Sequence, residues 1–263
     1  MLPLSGWLII FPTTWQIVHC TTEIRVGLLV SETTDPANIG YATSGGAIAV
    51  AMDRIANESL LNGYNFKFFV ENADCDAAES VGALIKFIQV EKVHAVIGPP
   101  CGGLYSGTMS TAYELPMFMW GYTFNADLTN DVRFPFVSTI TATSLSLGYA
   151  FLKLAEYNKW DRLAIFYTRD SVSYCDSLIA DTEAAINDEN TYQTNVAYKA
   201  VLDESANATY YSRMQSARER ARIIVVCLSS GPIKRRFFAR AQQLGMASNE
   251  YVYVILDLNG IGF

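Results

Sequence analysis

The chain has 263 residues, of which 51% are hydrophobic, and a formal net charge of −7. This length is sufficient for two domains of ordinary size, each with its own hydrophobic core. The excess of acidic over basic residues argues against nucleic acid or an anionic membrane surface as the main partner. No part of the chain has the biased composition of a low-complexity segment.

Residues 1–20 predict a secretory signal peptide. They have an apolar centre and no acidic or basic residue, and the predicted cleavage site lies near Cys20. A buried first strand is the alternative, but Pro3 and Pro12 argue against it. His19 is too large for the position before a lipid-modified cysteine, which argues against a lipoprotein leader. Later segments lack the roughly 18 consecutive apolar residues of a membrane-spanning helix.

Hydrophobic periodicity predicts alternating strands and helices in the first half of the chain. In chain order these are residues 24–30, 41–57, 65–72, a helix with Val81, Leu84, Ile85 and Ile88 on one face, 93–98, 104–113 and 115–121. This order predicts a parallel sheet with helices on both faces. Residues 122–143 are rich in Asn, Asp, Pro and Thr, and they predict a crossover to a second unit.

The alternation resumes after this crossover. The predicted elements are a helix with Leu147, Phe151 and Leu154 on one face, then 162–167, 174–187, 194–201, 205–220, 222–228, a helix from Pro232, and 251–256. We therefore expect two doubly wound parallel-sheet α/β lobes, residues 21–140 and 141–263, with a cleft between the carboxyl ends of their strands.

Once the leader is removed, four cysteines remain, and four cysteines allow three pairings. Cys75 follows the second predicted strand and Cys101 follows the third, so neighbouring strands would bring their loops together. The simplest pairing is Cys75–Cys101 and Cys175–Cys227, with Cys227 as a buried free thiol as the alternative. Closing loops of about 26 and 52 residues would stabilise the lobes by roughly 3–4 kcal/mol each in the chain-entropy model.

Few residues support an enzyme or a metal site. His19 lies in the predicted leader, and His94 begins a strand, where a solvated or hydrogen-bonded edge residue is expected. No C-x-x-C or H-x-x-x-H spacing indicates a zinc site. The segment "GYATSGG" has glycines spaced as in a phosphate-binding loop, but Gly46 replaces the lysine that such a loop requires. We therefore expect a binding protein without a cofactor or metal, and not an enzyme.

Polar and aromatic residues at the carboxyl ends of the predicted strands are the candidate ligand contacts. They are Ser31, Trp120 and Tyr122 in the first lobe, and Tyr167, Arg169, Asp170, Tyr174 and Ser229 in the second. Aromatic faces with a few polar groups suit a cleft that holds a small ligand or a peptide segment. Ordinary structural roles are the alternatives. Trp120 and Tyr167 could fill the core, and Arg169 and Asp170 could form a solvent-exposed turn.

Two further surface features are visible. The sequons at Asn57 and Asn207 predict glycosylation. Together with the predicted signal peptide and the four cysteines that remain after its removal, they favour the secretory pathway. The run "KRRFFAR" (residues 234–240) is basic, but the spacing of its phenylalanines predicts a helix with one buried face and one solvated, charged face.

Seven segments within residues 24–258 stand out in order along the chain: "GYATSGGAIAVAMDRIA", "ADCD", "AVIGPPC", "LPMFMWG", "RFPFVSTI", "WDRLAIFY" and "EYVYVIL". Together they resemble the extracellular ligand-binding region of receptor guanylyl cyclases. This family includes the natriuretic peptide receptors and belongs to the type I periplasmic-binding-protein superfamily. Any one of the segments alone is weak evidence, whereas the ordered set with two cysteine pairs is fairly specific.

The resemblance implies an extracellular or cell-surface sensory receptor. Its ectodomain binds a peptide or small molecule, commonly as a homodimer, and the cytoplasmic part of the membrane-anchored parent converts GTP to cyclic GMP. Relatives that bind amino acids imply that Tyr174 covers the ligand and that residues near 120–122 hydrogen-bond it. Where the family often has Gly-Pro-Gly-Cys, this chain has Pro100, which lacks the N–H that a bound chloride requires.

The chain also stops at Phe263, without a cyclase, so the resemblance implies a truncated product that cannot itself make cyclic GMP and that is secreted if the truncation is real. It also implies that the second lobe is incomplete, that the truncated lobes leave apolar sheet faces uncovered, and that the isolated chain is only marginally stable. The alternative hypothesis is a free-standing periplasmic-type solute-binding protein that binds an amino acid. Tight amino-acid binding or a lipid-modified Cys20 would favour it. A nucleotide-binding enzyme ranks last, and NAD or ATP binding in the micromolar range would support that function.

Overall fold

The computed structural model describes residues 21–35, 37–169, 173–188, 190–203, 206–228 and 232–257. The predicted leader lies outside these residues. The described chain forms two separate parallel β-sheets with helices packed on them, which confirms the predicted α/β architecture.

The first sheet has five parallel strands, one more than the sequence predicts. They are β1 (Thr22–Val30), β2 (Tyr64–Asn72), β3 (Ala95–Ile97), β4 (Met117–Met119) and β5 (Val137–Thr139), in the order β2-β1-β3-β4-β5. The additional strand, β5, lies inside the predicted crossover and pairs with β4 from Met117↔Val137 to Met119↔Thr139. Three paired residues are too few to give a periodicity signal.

The helices of this lobe differ in two respects from prediction: one helix is divided, and Ile85, predicted on the buried face of its helix, is 39% exposed. They are α1 (Tyr41–Ser44), α2 (Gly46–Asn57), α3 (Ala77–Lys86), which continues into a π-helical segment at Phe87–Glu91, and α4 (Gly103–Ala112). The single helix predicted over residues 41–57 is divided at Gly45. A Cβ at that position would lie 2.8 Å from the ring of Tyr41, so glycine permits the close contact between the two segments.

The second sheet has four parallel strands, in the order β7-β6-β8-β9. The strands are β6 (Arg162–Tyr167), β7 (Asn195–Val201), β8 (Ile223–Cys227) and β9 (Val252–Ile255), and the helices are α5 (Ser144–Asn158), α6 (Tyr174–Ile186), α7 (Asn207–Arg218) and α8 (Pro232–Gln243). Pro232 is the first residue of α8, as its favourable first-turn geometry predicts.

Both faces of the second sheet are covered. Leu163 and Ile165 of β6 pack towards α5 and α6, whereas Ala164 and Phe166 pack towards α7 and α8. The prediction that Leu154 belongs to the buried face of α5 is wrong, since this side chain is 43% exposed. The buried face of α5 instead contains Gly148, Phe151, Leu152 and Ala155. A Cβ on Gly148 would lie 3.0 Å from the Cα of Thr182, so the close contact with α6 sets the rotation of α5.

The first sheet is covered completely on one face only. The steps from β2 to β3, from β3 to β4 and from β4 to β5 all move in the same direction across the sheet. Right-handed crossovers therefore place α3 and α4 on the same face. The connection from β1 to β2 runs the other way and places α1 and α2 on the opposite face. Beyond α2 on that face, Phe118 is 47% exposed and Ile140 is 75% exposed. The described residues therefore leave apolar surface of the first sheet uncovered, whereas the second sheet, in the lobe expected to be incomplete, is covered on both faces.

Both predicted disulfides are present. The Cα atoms of Cys75 and Cys101 lie 5.2 Å apart, and those of Cys175 and Cys227 lie 5.5 Å apart, which are ordinary distances for bridged residues. The expectation that β2 and β3 are neighbours is wrong, because β1 lies between them. The first bridge therefore links the two loops that flank the carboxyl end of β1. The second ties the start of α6 to the end of β8.

Removal of the second bridge should strongly destabilise the chain. We expect Cys175→Ala/Cys227→Ala to lower the free energy of unfolding by about 4 kcal/mol, because the unfolded chain regains the freedom of a 52-residue loop. The double substitution leaves no unpaired thiol. Urea unfolding of the oxidised chain measures the change, and a midpoint equal to that of the wild type would contradict the expectation.

Two glycine substitutions test the packing of the first lobe. A Cβ on Gly27 would lie 2.7 Å from the ring of buried Phe87, so Gly27→Ala should destabilise the chain by roughly 1–3 kcal/mol. The matched control is Gly46→Ala, where no atom lies within 4 Å of the new Cβ and no loss is expected. Thermal unfolding of the two variants side by side gives the comparison, and equal melting temperatures would show that the packing at Phe87 is not tight.

Candidate ligand-binding site

Three aromatic rings pack against one another between the two lobes. Tyr122 and Phe124 follow β4 in the first lobe, and Tyr174 begins α6 in the second. The ring centroid of Tyr174 lies 5.4 Å from that of Tyr122 and 4.9 Å from that of Phe124, in edge-to-face geometry. Such pairs are each worth roughly 0.5–1.5 kcal/mol beyond the area that they bury. The interlobe contact is therefore aromatic at its centre.

Each tyrosine of this cluster is anchored in its own lobe through its hydroxyl. The Tyr122 hydroxyl donates to Asp35, which also accepts two hydrogen bonds from the side-chain amide of Asn38, at 3.0 and 2.8 Å. The Tyr174 hydroxyl donates to Oδ1 of Asp257 at 3.0 Å. Oδ2 of Asp257 lies 2.8 Å from the Nζ of buried Lys234. The two rings are thus held rigidly before any ligand arrives.

A tight turn places Tyr122 in the aromatic contact between the lobes. Gly121 has φ = +71°, and a Cβ there would lie 2.5 Å from the carbonyl oxygen of Pro100. The backbone N–H of Tyr122 donates to that same carbonyl oxygen at 2.7 Å. The loop that contains Cys101 and the loop that follows β4 are therefore in direct backbone contact, which only glycine at position 121 allows.

A second polar network organises the loop that follows β1. Oδ1 of Asp74 accepts hydrogen bonds from the Ser31 hydroxyl at 3.1 Å and from three successive backbone N–H groups, those of residues 32, 33 and 34, at 2.7, 2.7 and 3.3 Å. Ser31 is fully buried. Burial alone would raise the pKa of Asp74, but the hydrogen bonds from Asn72 and from the three backbone groups outweigh it and hold that pKa well below its usual range. Asp74 is therefore a fixed anion around which the loop is folded.

A cavity of about 300 Å³ lies between the first-lobe loops and the start of α6. Its lining includes the disulfide residue Cys75, the first residues of α4, and side chains from both lobes. The side chains that can contact a ligand are Tyr105, Tyr122, Thr123, Asn125, Ser173 and Ser177. The volume lies at the lower end of the range for small-molecule sites. None of the described residues that line it is charged.

The structure brings only part of the predicted set together at this cavity. Tyr122 lines it, Tyr174 packs directly against Tyr122, and Ser31 supports the neighbouring loop through Asp74. Trp120 lies elsewhere, in an apolar cavity of about 270 Å³ between α2 and the first sheet. Tyr167 is 8% exposed and belongs to the core of the second lobe.

The remaining predicted residues lie apart from this cavity or outside the described chain. The Nε of Arg169 lies 3.3 Å from a carboxylate oxygen of Asp176, and Arg169 lines a separate cavity of about 770 Å³ at the carboxyl ends of β6 and β7. Asp170 and Ser229 lie outside the described residues. Asn57 is exposed at the last position of α2, whereas the side chain of Asn207 is not described.

Several residues of the site were not predicted from the sequence. Asp74 carries a usable signal, because it follows a predicted strand by two residues, next to a cysteine. Tyr105, Ser173 and Ser177 carry none, since Tyr105 and Ser177 lie in the first turns of helices and Ser173 directly precedes one, rather than at strand ends. Only the packing of the two lobes brings these three residues to one cavity.

No metal-binding constellation is found in the described part of the chain, where no three His, Cys, Asp or Glu side chains come together suitably. His94 is hydrogen-bonded at the amino end of its strand, where its Nδ1 accepts from the backbone N–H of Arg25 at 2.9 Å. Among the described helices, none is long and apolar enough to cross a membrane.

Comparison with known families gives one match that covers most of the chain. Residues 43–260 match the model of the receptor family ligand binding region. The chain is 33% identical over 243 residues to receptor-type guanylate cyclase gcy-4 of Caenorhabditis briggsae, and 32% identical over 242 residues to gcy-5 of Caenorhabditis elegans. These alignments cover 91% of this chain and 21% and 22% of the relatives, so the chain spans about a fifth of their length.

A solved structure shares the fold. An ABC transporter substrate-binding protein from Sphaerobacter thermophilus superposes with a TM-score of 0.65 over 89% of this chain and 62% of its own. The two sequences are 12% identical, so this similarity concerns the fold alone.

The network at Asp74 makes a pH-dependent prediction. A depressed folded-state pKa adds stability above the ordinary carboxyl pKa of about 3.9, and this stability is lost as the pH falls through the folded-state value. Asp74→Asn should therefore lower the free energy of unfolding by roughly 1 kcal/mol at pH 7, and part of the loss of stability below about pH 4 should disappear. Asp53→Asn, on the exposed side of α2, is the control. Urea unfolding between pH 7 and 2 tests this, and identical pH profiles for wild type and Asp74→Asn would contradict it.

Proposed function

The chain belongs to the receptor family ligand binding region, and from this premise we propose that its interlobe cavity binds the extracellular signal of a guanylate cyclase-type receptor. Its homology is to the ligand-binding region of receptor guanylate cyclases, and its two-lobed fold supports ligand binding. The observation that carries the proposal is the cavity lined by Tyr105 and Tyr122 from the first lobe and by Ser173 and Ser177 from the second.

The chemistry of the cavity favours a neutral, polar small molecule or a short peptide segment. Two tyrosines offer aromatic faces and hydroxyls, while Thr123, Asn125, Ser173 and Ser177 offer uncharged donors and acceptors. An amino acid carries both an ammonium and a carboxylate, and burying these charges requires charged or strongly hydrogen-bonding partners. The described lining has no charged side chain, which disfavours the alternative of an amino-acid-binding transporter protein.

A ligand in this cavity contacts both lobes and therefore changes the equilibrium between lobe arrangements. Tyr122 belongs both to the cavity lining and to the aromatic interlobe contact. Occupation of the cavity would therefore act on the same ring that packs against Tyr174. In the parent receptor we propose that this change is passed through a homodimer and a membrane anchor to a cyclase. The chain itself, with lobes at residues 21–140 and 141–263, acts only as the binding part and not as an enzyme.

Two disulfide bridges support an extracellular location, because such bonds persist in oxidising compartments. We propose that residues 1–20 direct the chain into the secretory pathway and that Asn57 and Asn207 receive glycans there. The exposure of Asn57 at the end of α2 is compatible with modification. Mass spectrometry of the secreted chain before and after glycosidase treatment tests both assignments.

The cavity assignment is tested by a thermal-shift screen with amino acids, neutral metabolites and short peptides. A compound that raises the melting temperature of the wild type should have no effect on Tyr105→Ala. The matched control is Tyr113→Ala, since this tyrosine follows α4, is similarly exposed and lies outside the cavity lining. Stabilisation that survives Tyr105→Ala and a cavity-filling Ala77→Trp would refute the proposed site. Stabilisation by free amino acids alone would favour the transporter-type alternative.

A further inference from the structure

The two disulfide bridges differ in their access to solvent. Cys175 and Cys227 are both fully buried in the core of the second lobe. Cys101 is also fully buried, whereas Cys75 is partly exposed. Of these four bridged residues, Cys75 is the one that lines the interlobe cavity. A thiolate opens a disulfide by direct attack on one of its sulfur atoms, so access decides which bridge reacts.

The backbone at the first bridge is strained. Asp74 and Cys75 have φ = +38° and +66°, so two successive residues occupy the left-handed region that residues other than glycine rarely adopt. Hydrogen bonds from residues 31–34 hold Asp74 in this conformation. Cys175 lies in a helix and Cys227 in a strand, where the backbone is regular. Strained or exposed disulfides are reduced more easily than relaxed, buried ones, which favours the first bridge.

The first bridge connects two segments that build the cavity. On one side, Asp74 organises the loop that follows β1, and the side chain of Asp76 accepts hydrogen bonds from the backbone N–H groups of residues 78 and 79 at the start of α3. On the other side, the carbonyl oxygen of Pro100 accepts from the backbone N–H of Tyr122, and the segment runs directly into α4. Opening the bridge removes the covalent link between these two segments.

The sheet of the first lobe has other support. β1 pairs with β2 over nine residues, and the core beneath the sheet contains the fully buried side chains of Leu84, Phe87 and Met119. These contacts do not involve the loops at the carboxyl ends of the strands. Loss of the bridge is therefore expected to act first on the cavity loops and not on the sheet.

We propose that the Cys75–Cys101 bridge is a redox-sensitive switch, which a small thiol opens through the interlobe cavity and which loosens the cavity loops when it opens. A small thiol fits a cavity of about 300 Å³, whereas a folded protein that carries a dithiol does not. The inference holds whichever ligand the cavity binds, and it does not rest on the proposed function.

The reaction consumes two molecules of the small thiol. The thiolate of the first attacks the sulfur of Cys75 and forms a mixed disulfide, while the electron pair of the broken S–S bond leaves on the sulfur of Cys101, which takes up a proton. The second thiol attacks the mixed disulfide and releases Cys75, which is also protonated. The two cysteines together gain two electrons and two protons, and the two small thiols become one disulfide.

The first experiment treats the oxidised full chain with reduced glutathione at about pH 8, where part of the thiol is ionised. Free thiols are trapped with N-ethylmaleimide and mapped by mass spectrometry. We expect the first bridge to open at least roughly tenfold faster than the second, with the glutathione adduct on Cys75 and not on Cys101. Ser177→Trp, which fills the cavity from the second lobe, should slow the opening. The control is Thr108→Trp, on the exposed side of α4 and outside the cavity lining.

Hydrogen exchange measures the consequence of opening. The backbone N–H groups of residues 32–34 and of Tyr122 are hydrogen-bonded to the two bridged segments, so they should exchange roughly tenfold faster after reduction. Those of β6 and β8 in the second lobe should exchange as before. Cys75→Ser/Cys101→Ser should show the same pattern without any reductant.

Each other outcome overturns the proposal. Equal rates for the two bridges, an adduct on Cys101, or an unchanged rate in Ser177→Trp would show that the thiol does not enter through the cavity. Reduction by a thioredoxin-type protein but not by glutathione would place the point of attack on the outer surface. Unchanged exchange after opening would show that the bridge is not a switch. Faster exchange throughout the first sheet would show that the bridge supports the whole lobe and not the cavity loops.

Discussion

The bridge between Cys75 and Cys101 is the constraint on which the ligand-facing end of the first lobe depends. It connects the loops on either side of the carboxyl end of β1. Asp74, immediately before the first cysteine, accepts hydrogen bonds from the backbone N–H groups of residues 32–34. Gly102, immediately after the second, begins the approach to α4 and lines the cavity. One covalent bond therefore couples three loops that would otherwise be independent surface segments.

The two lobes meet through interactions of a different kind. The rings of Tyr122, Phe124 and Tyr174 make the central contact, while Asp35 and Asp257 hold the tyrosine hydroxyls from opposite sides. Edge-to-face ring contacts are weak enough to rearrange, whereas the anchors within each lobe are charged and partly buried. Such a division gives rigid lobes and an adjustable contact between them, which suits a receptor domain that responds to a ligand.

Much of the fold follows from the sequence, because buried parallel strands leave continuous apolar runs and their crossover helices leave a 3.6-residue period. The departures from prediction have local causes. β5 is too short to show a pattern, Gly45 divides a helix that periodicity predicts as continuous, and the contact at Gly148 sets the rotation of α5. Strand order is a further case. The predicted pairing of Cys75 with Cys101 is correct although β2 and β3 are not neighbours, since a single intervening strand still leaves their loops within reach.

The candidate site, like the fold, could be predicted only in part from local sequence patterns. Tyr122 and Tyr174 could be predicted as site residues because Tyr122 follows the end of a strand and Tyr174 begins a helix, both facing the expected cleft. The sequence by itself determined the α/β class and the two lobes, because each depends on local hydrophobic pattern, and it made one cysteine pairing the simplest of three. Only the tertiary structure decided that Trp120 and Tyr122 line different cavities, and that Tyr105, Ser173 and Ser177 share one. These depend on strand order, helix rotation and lobe packing, which arise from long-range contacts that no local window of sequence contains.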